Sequence, residues 1–172
     1  MAYDGEYKQR QVRFLAETKG MKTDKDNPGV LAPPPLIFLG GLIIGWLLAW
    51  LFPGHSLLPS GWNQISGMIL IAIGLVIIVA AIVQMRRAQT NVEPWKPTTK
   101  ILDTGLYSIS RNPIYIAMTL VYLGIAFLVN SFWFLPPLIL VLPAIYYGVI
   151  LREEKYLERK FGDEYLNYVN QE

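Results

Sequence analysis

The sequence of 172 residues contains no cysteine and only one histidine. Without cysteine there is no disulfide, no thiolate metal ligand and no cysteine nucleophile, although the redox compartment stays open. His55 stands apart from other polar groups, and a metal site would need further ligands nearby. We therefore expect His55 to be a solvated loop residue, and the sequence predicts no metal site.

Charged residues are also scarce. They make up 16% of the chain, whereas 53% of its residues are hydrophobic, and the mean hydropathy is positive. This composition is too apolar for an ordinary soluble domain of the same length. The sequence therefore predicts one compact membrane domain. The net charge of +2 is close to neutral, and we predict membrane lipids but no nucleic acid as partners.

Four apolar runs predict transmembrane helices, because about 20 residues are needed to cross the hydrocarbon of a bilayer. The predicted spans are about residues 36–52, 66–85, 114–129 and 132–151. Only Asn130 and Ser131 separate the last two runs, so we expect a helical hairpin whose polar ends meet on one side of the membrane. The predicted fold class is an all-α, polytopic membrane protein with four transmembrane helices.

Lysine and arginine are confined to one side of this arrangement. They precede the first span, join the second to the third and follow the fourth, whereas the loops 53–65 and 130–131 contain none. By the positive-inside rule, both termini are predicted to be cytoplasmic. We divide the chain into a polar cytoplasmic N-terminal arm, residues 1–32, and a single membrane domain, residues 33–172.

Two segments outside the spans have their own patterns. The stretch from Arg86 to Ser110 contains prolines and lacks a helical period, which predicts a cytoplasmic connector long enough to cover a pocket. After Leu151, apolar residues recur at steps of three or four, which predicts a C-terminal helix lying along the membrane surface. These residues are Leu157, Phe161, Tyr165, Tyr168 and Val169.

Gly41 and Gly45 have the spacing that allows two membrane helices to approach closely. The neighbouring helix could belong to the same molecule or to a second copy, so the sequence leaves the oligomeric state open.

Polar residues cluster at both ends of the predicted hairpin. Residues 105–115 precede its first arm, and Arg152-Glu153-Glu154 follow its second. Such groups are costly at a membrane edge, which favours a functional site. The alternative is that residues 152–154 only pair with Arg111 and close the hairpin, because structural ion pairs also occur at such edges.

These motifs resemble the isoprenylcysteine carboxyl methyltransferase and phospholipid methyltransferase group of integral membrane enzymes. The resemblance rests on the order of four elements across about the last 85 residues. The elements are Thr104-Gly105-Leu106-Tyr107, then Arg111-Asn112-Pro113-Ile114-Tyr115, an apolar hairpin with Glu153-Glu154 at its end, and Phe161-Gly162-Asp163-Glu164-Tyr165.

The resemblance implies a methyltransferase that takes S-adenosylmethionine from the cytoplasm and methylates a lipid-like or amphiphilic substrate at the membrane. It also implies that residues 86–172 form the cofactor-site half of the domain. The cofactor-binding residues that it implies are Thr99, Lys100, Ile101, Leu102, Tyr107, Asn112, Pro113, Tyr115 and Glu153. Among them, Glu153 suits the cofactor's ammonium group, because a charge-assisted hydrogen bond is stronger than a neutral one.

Three further residues are candidates for catalysis. Glu154 is a candidate base if the methyl acceptor is an amine or a hydroxyl, and Arg152 or Arg111 is the nearest candidate for anchoring an anionic head group. Many family members have histidine where this chain has Asn112, which excludes a histidine-based proton relay at that point. The prenylcysteine enzymes have arginine where this chain has Val149, which makes prenylcysteine a doubtful substrate.

Two other classes of function stay open on the sequence. One is a lipid or sterol reductase that uses NADPH, although the chain lacks the GxGxxG fingerprint. The other is a non-catalytic membrane packing protein. Binding of S-adenosylhomocysteine or of NADPH would distinguish these classes from the methyltransferase.

Overall fold

The computed structural model describes residues 26–169, so most of the predicted arm, residues 1–25, lies outside the described residues. The described part is all-helical and contains no β-strand, in agreement with the predicted class. Its α-helices are α1 Pro34–Leu51, α2 Trp62–Arg87, α3 Pro113–Val129, α4 Leu135–Ile145, α5 Leu151–Phe161 and α6 Asp163–Val169. Short 3-10 helices cover Gly105–Ser108 and Phe132–Phe134, and a π-helix covers Tyr146–Ile150.

Proline begins three of these helices. It occupies the first turn of α1, α3 and α4, where its missing N–H group would have had no partner inside the helix and its fixed φ fits helical geometry. The end of α3 is marked by Asn130, which adopts the left-handed conformation with φ 54°. Asparagine tolerates this conformation better than most residues, and the chain reverses there.

Three helices of the described part are long and apolar enough to cross a membrane. They are Pro34–Leu51, Trp62–Arg87 and the continuous helical stretch Phe132–Phe161. The helix α3 is also apolar but has only 17 residues. Helix α2 is longer than the predicted span 66–85, because helical structure begins at Trp62, whose carbonyl accepts a hydrogen bond from the Ser66 hydroxyl at 2.6 Å.

Glycines let α2 and α3 pack backbone against backbone. A Cβ atom on Gly67 would lie 2.8 Å from the carbonyl oxygen of Gly124, and one on Gly74 would lie 2.8 Å from that of Ala117. As the residue number rises along α2, the number of the residue that it contacts on α3 falls. The two helices run antiparallel at a separation that only glycine allows at these positions.

Gly41 and Gly45 bring α1 against the last helical stretch of the same chain. A Cβ on Gly41 would lie 2.6 Å from a methyl carbon of Val141, and one on Gly45 would lie 2.9 Å from the ring of Phe134. The hydroxyl of Tyr122, on α3, lies between them, 3.1 Å from the Gly41 carbonyl oxygen and 2.9 Å from that of Phe134. Both glycines thus pack inside the molecule.

The loop between α1 and α2 is fastened to the chain reversal after α3. The Asn130 side chain accepts hydrogen bonds from the N–H groups of Leu57 and Leu58 and donates one to the Leu58 carbonyl. The backbone N–H of Phe132 donates to the carbonyl of His55. The His55 side chain is exposed, as expected for a loop residue. These contacts close one end of the helical bundle.

The last helical stretch changes its hydrogen-bond pattern near its middle. Pro143 lies inside α4, where it cannot donate a backbone hydrogen bond, and the π-helix Tyr146–Ile150 follows directly. Short π-helical turns of this kind occur often near functional sites. The helix then continues into the charged residues of α5, at the end of the bundle opposite Asn130.

Candidate active site

A cavity lies at the end of the bundle where α2 ends, α3 begins and α5 follows the π-helix. The volume inside it that the centre of a water molecule can reach is about 130 Å³. One water needs roughly 10–15 Å³ on this measure, so the space can take a ligand group or several waters. Its walls come from the connector between α2 and α3, from the first turn of α3, and from α5 and α6.

Most of the residues predicted for the site line this one cavity. From the predicted cofactor set these are Lys100, Ile101, Leu102, Tyr107, Asn112, Pro113, Tyr115 and Glu153, and from the predicted catalytic set Arg111 and Glu154. Residues about 40 positions apart along the chain therefore meet here, because α3 and the last helical stretch run antiparallel.

Two predicted residues do not line the cavity. Arg152 is exposed, and its guanidinium donates to the carbonyl of Gly29 at 2.7 Å. Thr99 is exposed too; its hydroxyl donates to the Gln89 carbonyl at 2.8 Å, and its N–H donates to the Thr90 hydroxyl. Both residues hold backbone segments near the cavity. A sequence motif does not distinguish this structural role from direct contact with a ligand.

Glu153 and Tyr115 form the polar centre of the cavity. The Tyr115 hydroxyl, on the first turn of α3, donates to a carboxylate oxygen of Glu153 at 2.9 Å. Within residues 26–169 the Glu153 carboxylate makes no salt bridge. One of its oxygens is thus oriented by a tyrosine, and the carboxylate is able to accept a hydrogen bond from a ligand.

Arg111 and Glu154 form an ion pair beside this centre. Their charged groups are 3.0 Å apart, and the two side chains are about one third exposed. The pair joins the start of α3 to α5, as the structural alternative predicted for this edge. Because both residues also line the cavity, the ion pair does not remove them from contact with a ligand.

Asn112 is the residue immediately before α3. Its carbonyl accepts the first hydrogen bonds of the helix, from the N–H groups of Tyr115 and Ile116, and the following Pro113 fixes the entry of the chain. Within the described part of the chain its side-chain amide makes no hydrogen bond. The amide therefore keeps its donors and its acceptor for a ligand.

Tyr107 lies in a turn that is hydrogen-bonded to both α2 and α6. Gly105 has φ +62°, and Gln84, at the end of α2, accepts a hydrogen bond from the N–H of Leu106 at 3.2 Å. From the other side, the Tyr168 hydroxyl donates to the Tyr107 carbonyl. The turn is thus fixed relative to both α2 and α6.

The Tyr107 hydroxyl itself is buried and has no hydrogen-bond partner in the described structure. Burial raises the pKa of Tyr107, and the nearby Tyr168 and Glu153 raise it further. The group is therefore a neutral phenol. A buried polar group without a partner is costly, and in a cavity it indicates a position where a ligand atom can complete the hydrogen bond.

Several residues that line the cavity were not predicted from the sequence. Tyr156 and Leu157 of α5 and Tyr165 and Tyr168 of α6 all line it, and the three tyrosines are buried. Tyr165 and Tyr168 belong to the periodic pattern that predicted a helix at the membrane surface. The spacing of these residues indicated that one face of the C-terminal helix is apolar. Such spacing does not show whether the apolar face contacts lipid or protein.

The chain also matches a known protein family. The phospholipid methyltransferase family matches residues 62–164, more than half of the chain. The match covers α2, the connector, α3 and the helical stretch that carries Glu153. The chain belongs to this family, and three helices of its described part are long and apolar enough to cross a membrane.

One curated relative is the nickel-cobalt-cadmium resistance protein NccN of Alcaligenes xylosoxydans xylosoxydans. It is 25% identical to this chain over 145 residues, which are 80% of this chain and 66% of the relative. The chain thus spans just under two thirds of that relative's length. No solved structure matches the chain.

Proposed function

We propose that this protein transfers a methyl group from S-adenosylmethionine to a lipid-like or amphiphilic acceptor at the cytoplasmic face of a membrane. The observation that carries the proposal is the convergence of Asn112, Tyr115, Glu153 and Tyr107 on one cavity. Membership in the phospholipid methyltransferase family supports the same reaction.

The groups around the cavity fit the polar parts of this cofactor. Glu153 is a carboxylate without a salt bridge among residues 26–169, and it suits an ammonium group. The unpartnered Tyr107 hydroxyl and the Asn112 amide can complete hydrogen bonds to polar atoms of the ligand. Aromatic and aliphatic side chains on the other walls suit a flat adenine ring.

S-adenosylmethionine would supply an activated methyl group. The protein's contribution is to hold the cofactor and the acceptor in line, since orientation alone accounts for a large part of the acceleration in such transfers. Lys100, Ile101, Leu102 and Pro113 would complete the cofactor wall. Tyr115 would keep the Glu153 carboxylate in place through their hydrogen bond.

Arg111 and Glu154 remain our candidates for contact with the methyl acceptor, because their ion pair lies at the cavity wall. Glu154 would accept a proton from an amine or hydroxyl acceptor, and Arg111 would hold an anionic head group. We propose no acceptor contact for Arg152, since its guanidinium binds the Gly29 carbonyl outside the cavity.

The membrane arrangement that we propose has four spans. Helix α3 has 17 residues, at the short end of the range that crosses a bilayer, and it runs antiparallel to α2, from the cavity end of the bundle to the opposite loop. Every lysine and arginine of residues 33–172 lies outside the runs 36–52, 66–85, 114–129 and 132–151, on the side of the cavity. The positive-inside rule then favours a cytoplasmic cavity.

Binding of S-adenosylhomocysteine to the purified protein tests the proposal. We expect saturable binding by calorimetry, and at least a tenfold loss of affinity in Glu153→Gln, which keeps the shape of the side chain but removes its charge. Leu166→Ala is a matched control at an exposed site on α6. Preferential thermal stabilisation by NADPH, with no response to S-adenosylhomocysteine, would overturn the proposal in favour of a reductase.

A further inference from the structure

Two segments that are far apart in the sequence lie against the same side of the cavity. One is the strap, residues 26–31, which contributes Pro28 to the lining, and the other is the connector after α2, which contributes Thr98. The strap and the part of the connector around Thr98 are not helical. Hydrogen bonds to the helices beside them help to hold both in place.

The strap is fastened along one face of the last helical stretch. The Leu31 N–H donates to the Gly148 carbonyl at 2.9 Å, Arg152 donates to the carbonyl of Gly29 at 2.7 Å, and Lys160 pairs with Asp26 at 2.7 Å. The helical partners are Gly148, Arg152 and Lys160, whose separations are multiples of four, which places them near one face of the helix. The same face also carries Tyr156.

Tyr156 joins the strap to the connector. Its hydroxyl donates to an Asp26 carboxylate oxygen at 2.7 Å, and its oxygen accepts from the Thr98 N–H at 3.1 Å and from the Lys160 ammonium at 2.9 Å. A phenol has one donor and can accept two bonds, so all of its capacity is used. The residue is only 4% exposed.

We propose that Tyr156 is a positioning residue that holds the strap and the connector together over the cofactor cavity. The proposal rests on the proposed function for the identity of the ligand. Losing the hydroxyl loosens both segments at once, so the bound cofactor escapes more readily. Tyr156 acts through the two segments and not on the reacting atoms.

The test variant is Tyr156→Phe, which keeps the ring and removes the hydroxyl. We expect binding of S-adenosylhomocysteine to weaken by about three- to tenfold, the value of one hydrogen bond inside a protein. In a methyl-transfer assay, KM for S-adenosylmethionine should rise by a similar factor while kcat changes less than twofold. Tyr147→Phe removes the same atom from an exposed site on the same helical stretch and should match the wild type.

Hydrogen exchange tests the coupling without a ligand. The amides to follow are Leu31 in the strap and Thr99 in the connector, because neither is bonded to Tyr156. Tyr156→Phe should speed exchange at both amides by about threefold or more. Arg152→Met removes only a strap contact, the hydrogen bond to the Gly29 carbonyl, and should speed exchange at Leu31 alone.

Faster exchange at only one amide in Tyr156→Phe would overturn the proposal, as would a cofactor affinity equal to that of Tyr147→Phe in a protein that binds S-adenosylhomocysteine. A wild-type protein that does not bind this ligand would overturn the proposed function instead. In that case the exchange result still decides whether Tyr156 joins the two segments.

Discussion

At the level of single residues, the close packing of α2 against α3 requires that Gly67 has no side chain. A Cβ there would lie 2.8 Å from the Gly124 carbonyl oxygen and 2.9 Å from the Leu128 backbone nitrogen. Since these are backbone atoms, a side-chain rotation cannot relieve the contact. The whole of α3 would have to move away from α2.

We predict that Gly67→Ala destabilises the protein by about 1–3 kcal/mol, the usual cost of overpacking. Gly40→Ala is the matched control, because a Cβ at Gly40 has no atom within 4 Å and the change gains the same helix propensity. Thermal unfolding in detergent micelles measures both. Equal melting temperatures for the two variants would contradict the close α2–α3 packing.

At the same scale, the sequence was sufficient to find residues whose chemistry is unusual for their place. Glu153 and Asn112 are polar residues at the ends of apolar runs. Arg111 precedes the first arm of the hairpin, and carboxylates that could pair with it follow the second arm. Tyr156 was not found, because a tyrosine at helical spacing is ordinary. Its three hydrogen-bond partners come from positions 26, 98 and 160, which no local pattern relates.

At the scale of elements, the turn at Gly105–Ser108 shows how the connector gains a fixed place. Gly105 has φ +62°, and a Cβ there would collide with the side-chain nitrogen of Gln84. A side chain at this position therefore meets both backbone strain and a collision. The collision is with the residue that holds the turn carrying Tyr107.

We predict that Gly105→Ala weakens binding of S-adenosylhomocysteine by about tenfold, equivalent to roughly 1.4 kcal/mol. Gly54→Ala is the control, because Gly54 also has positive φ (+94°) but open space around it, at the far end of the bundle. It shares the backbone strain and not the collision. Equal affinities in the two variants would show that the turn does not position the ligand.

Helix α6 makes a second contribution to the cavity wall. The Tyr168 hydroxyl donates to the Tyr107 carbonyl, so α6 holds the connector in addition to Gln84. We predict that Tyr168→Phe weakens S-adenosylhomocysteine binding by about two- to tenfold, as expected for one buried hydrogen bond. Isothermal titration alongside Leu166→Ala, an exposed change on the same helix, checks this. No difference between them would mean that α6 only covers the site.

The elements themselves were largely predictable, because their signals are local. Apolar runs predicted α1, α2, α3 and the last helical stretch, and Asn130 coincides with the predicted reversal. The π-helix at Tyr146–Ile150 was not predicted. It changes the hydrogen-bond pattern within a continuous helical stretch, and the apolar pattern of the sequence does not distinguish it from an α-helix.

At the scale of the whole molecule, the absence of cysteine allows a direct test of the membrane arrangement. We predict that a cysteine at Ser60, in the exposed loop between α1 and α2, reacts with an impermeant maleimide in intact cells. A cysteine at Lys96, in the exposed connector, should react only after the membrane is opened. Labelling of both positions from the same side would contradict the proposed topology.

The position of the cavity also follows at this scale. Four antiparallel helical segments place the start of α3 and the end of the last apolar run at one end of the bundle, beside the connector. Order along the chain predicted that Asn112 and Glu153 would meet. It did not predict that the strap at Asp26 would lie against α5, because Asp26 and its partner Tyr156 are 130 positions apart in the sequence.

We propose that the cavity around Glu153 is where a methyl group is transferred to a membrane-embedded acceptor. This is tested by the transfer of a radiolabelled methyl group from S-adenosylmethionine into lipid extracted from membranes that contain the purified protein. We predict label in the lipid fraction with the wild type, and a loss of about tenfold or more with Glu153→Gln in folded protein. Label at the same level with Glu153→Gln, or no label with the wild type across membranes from several sources, would contradict the claim.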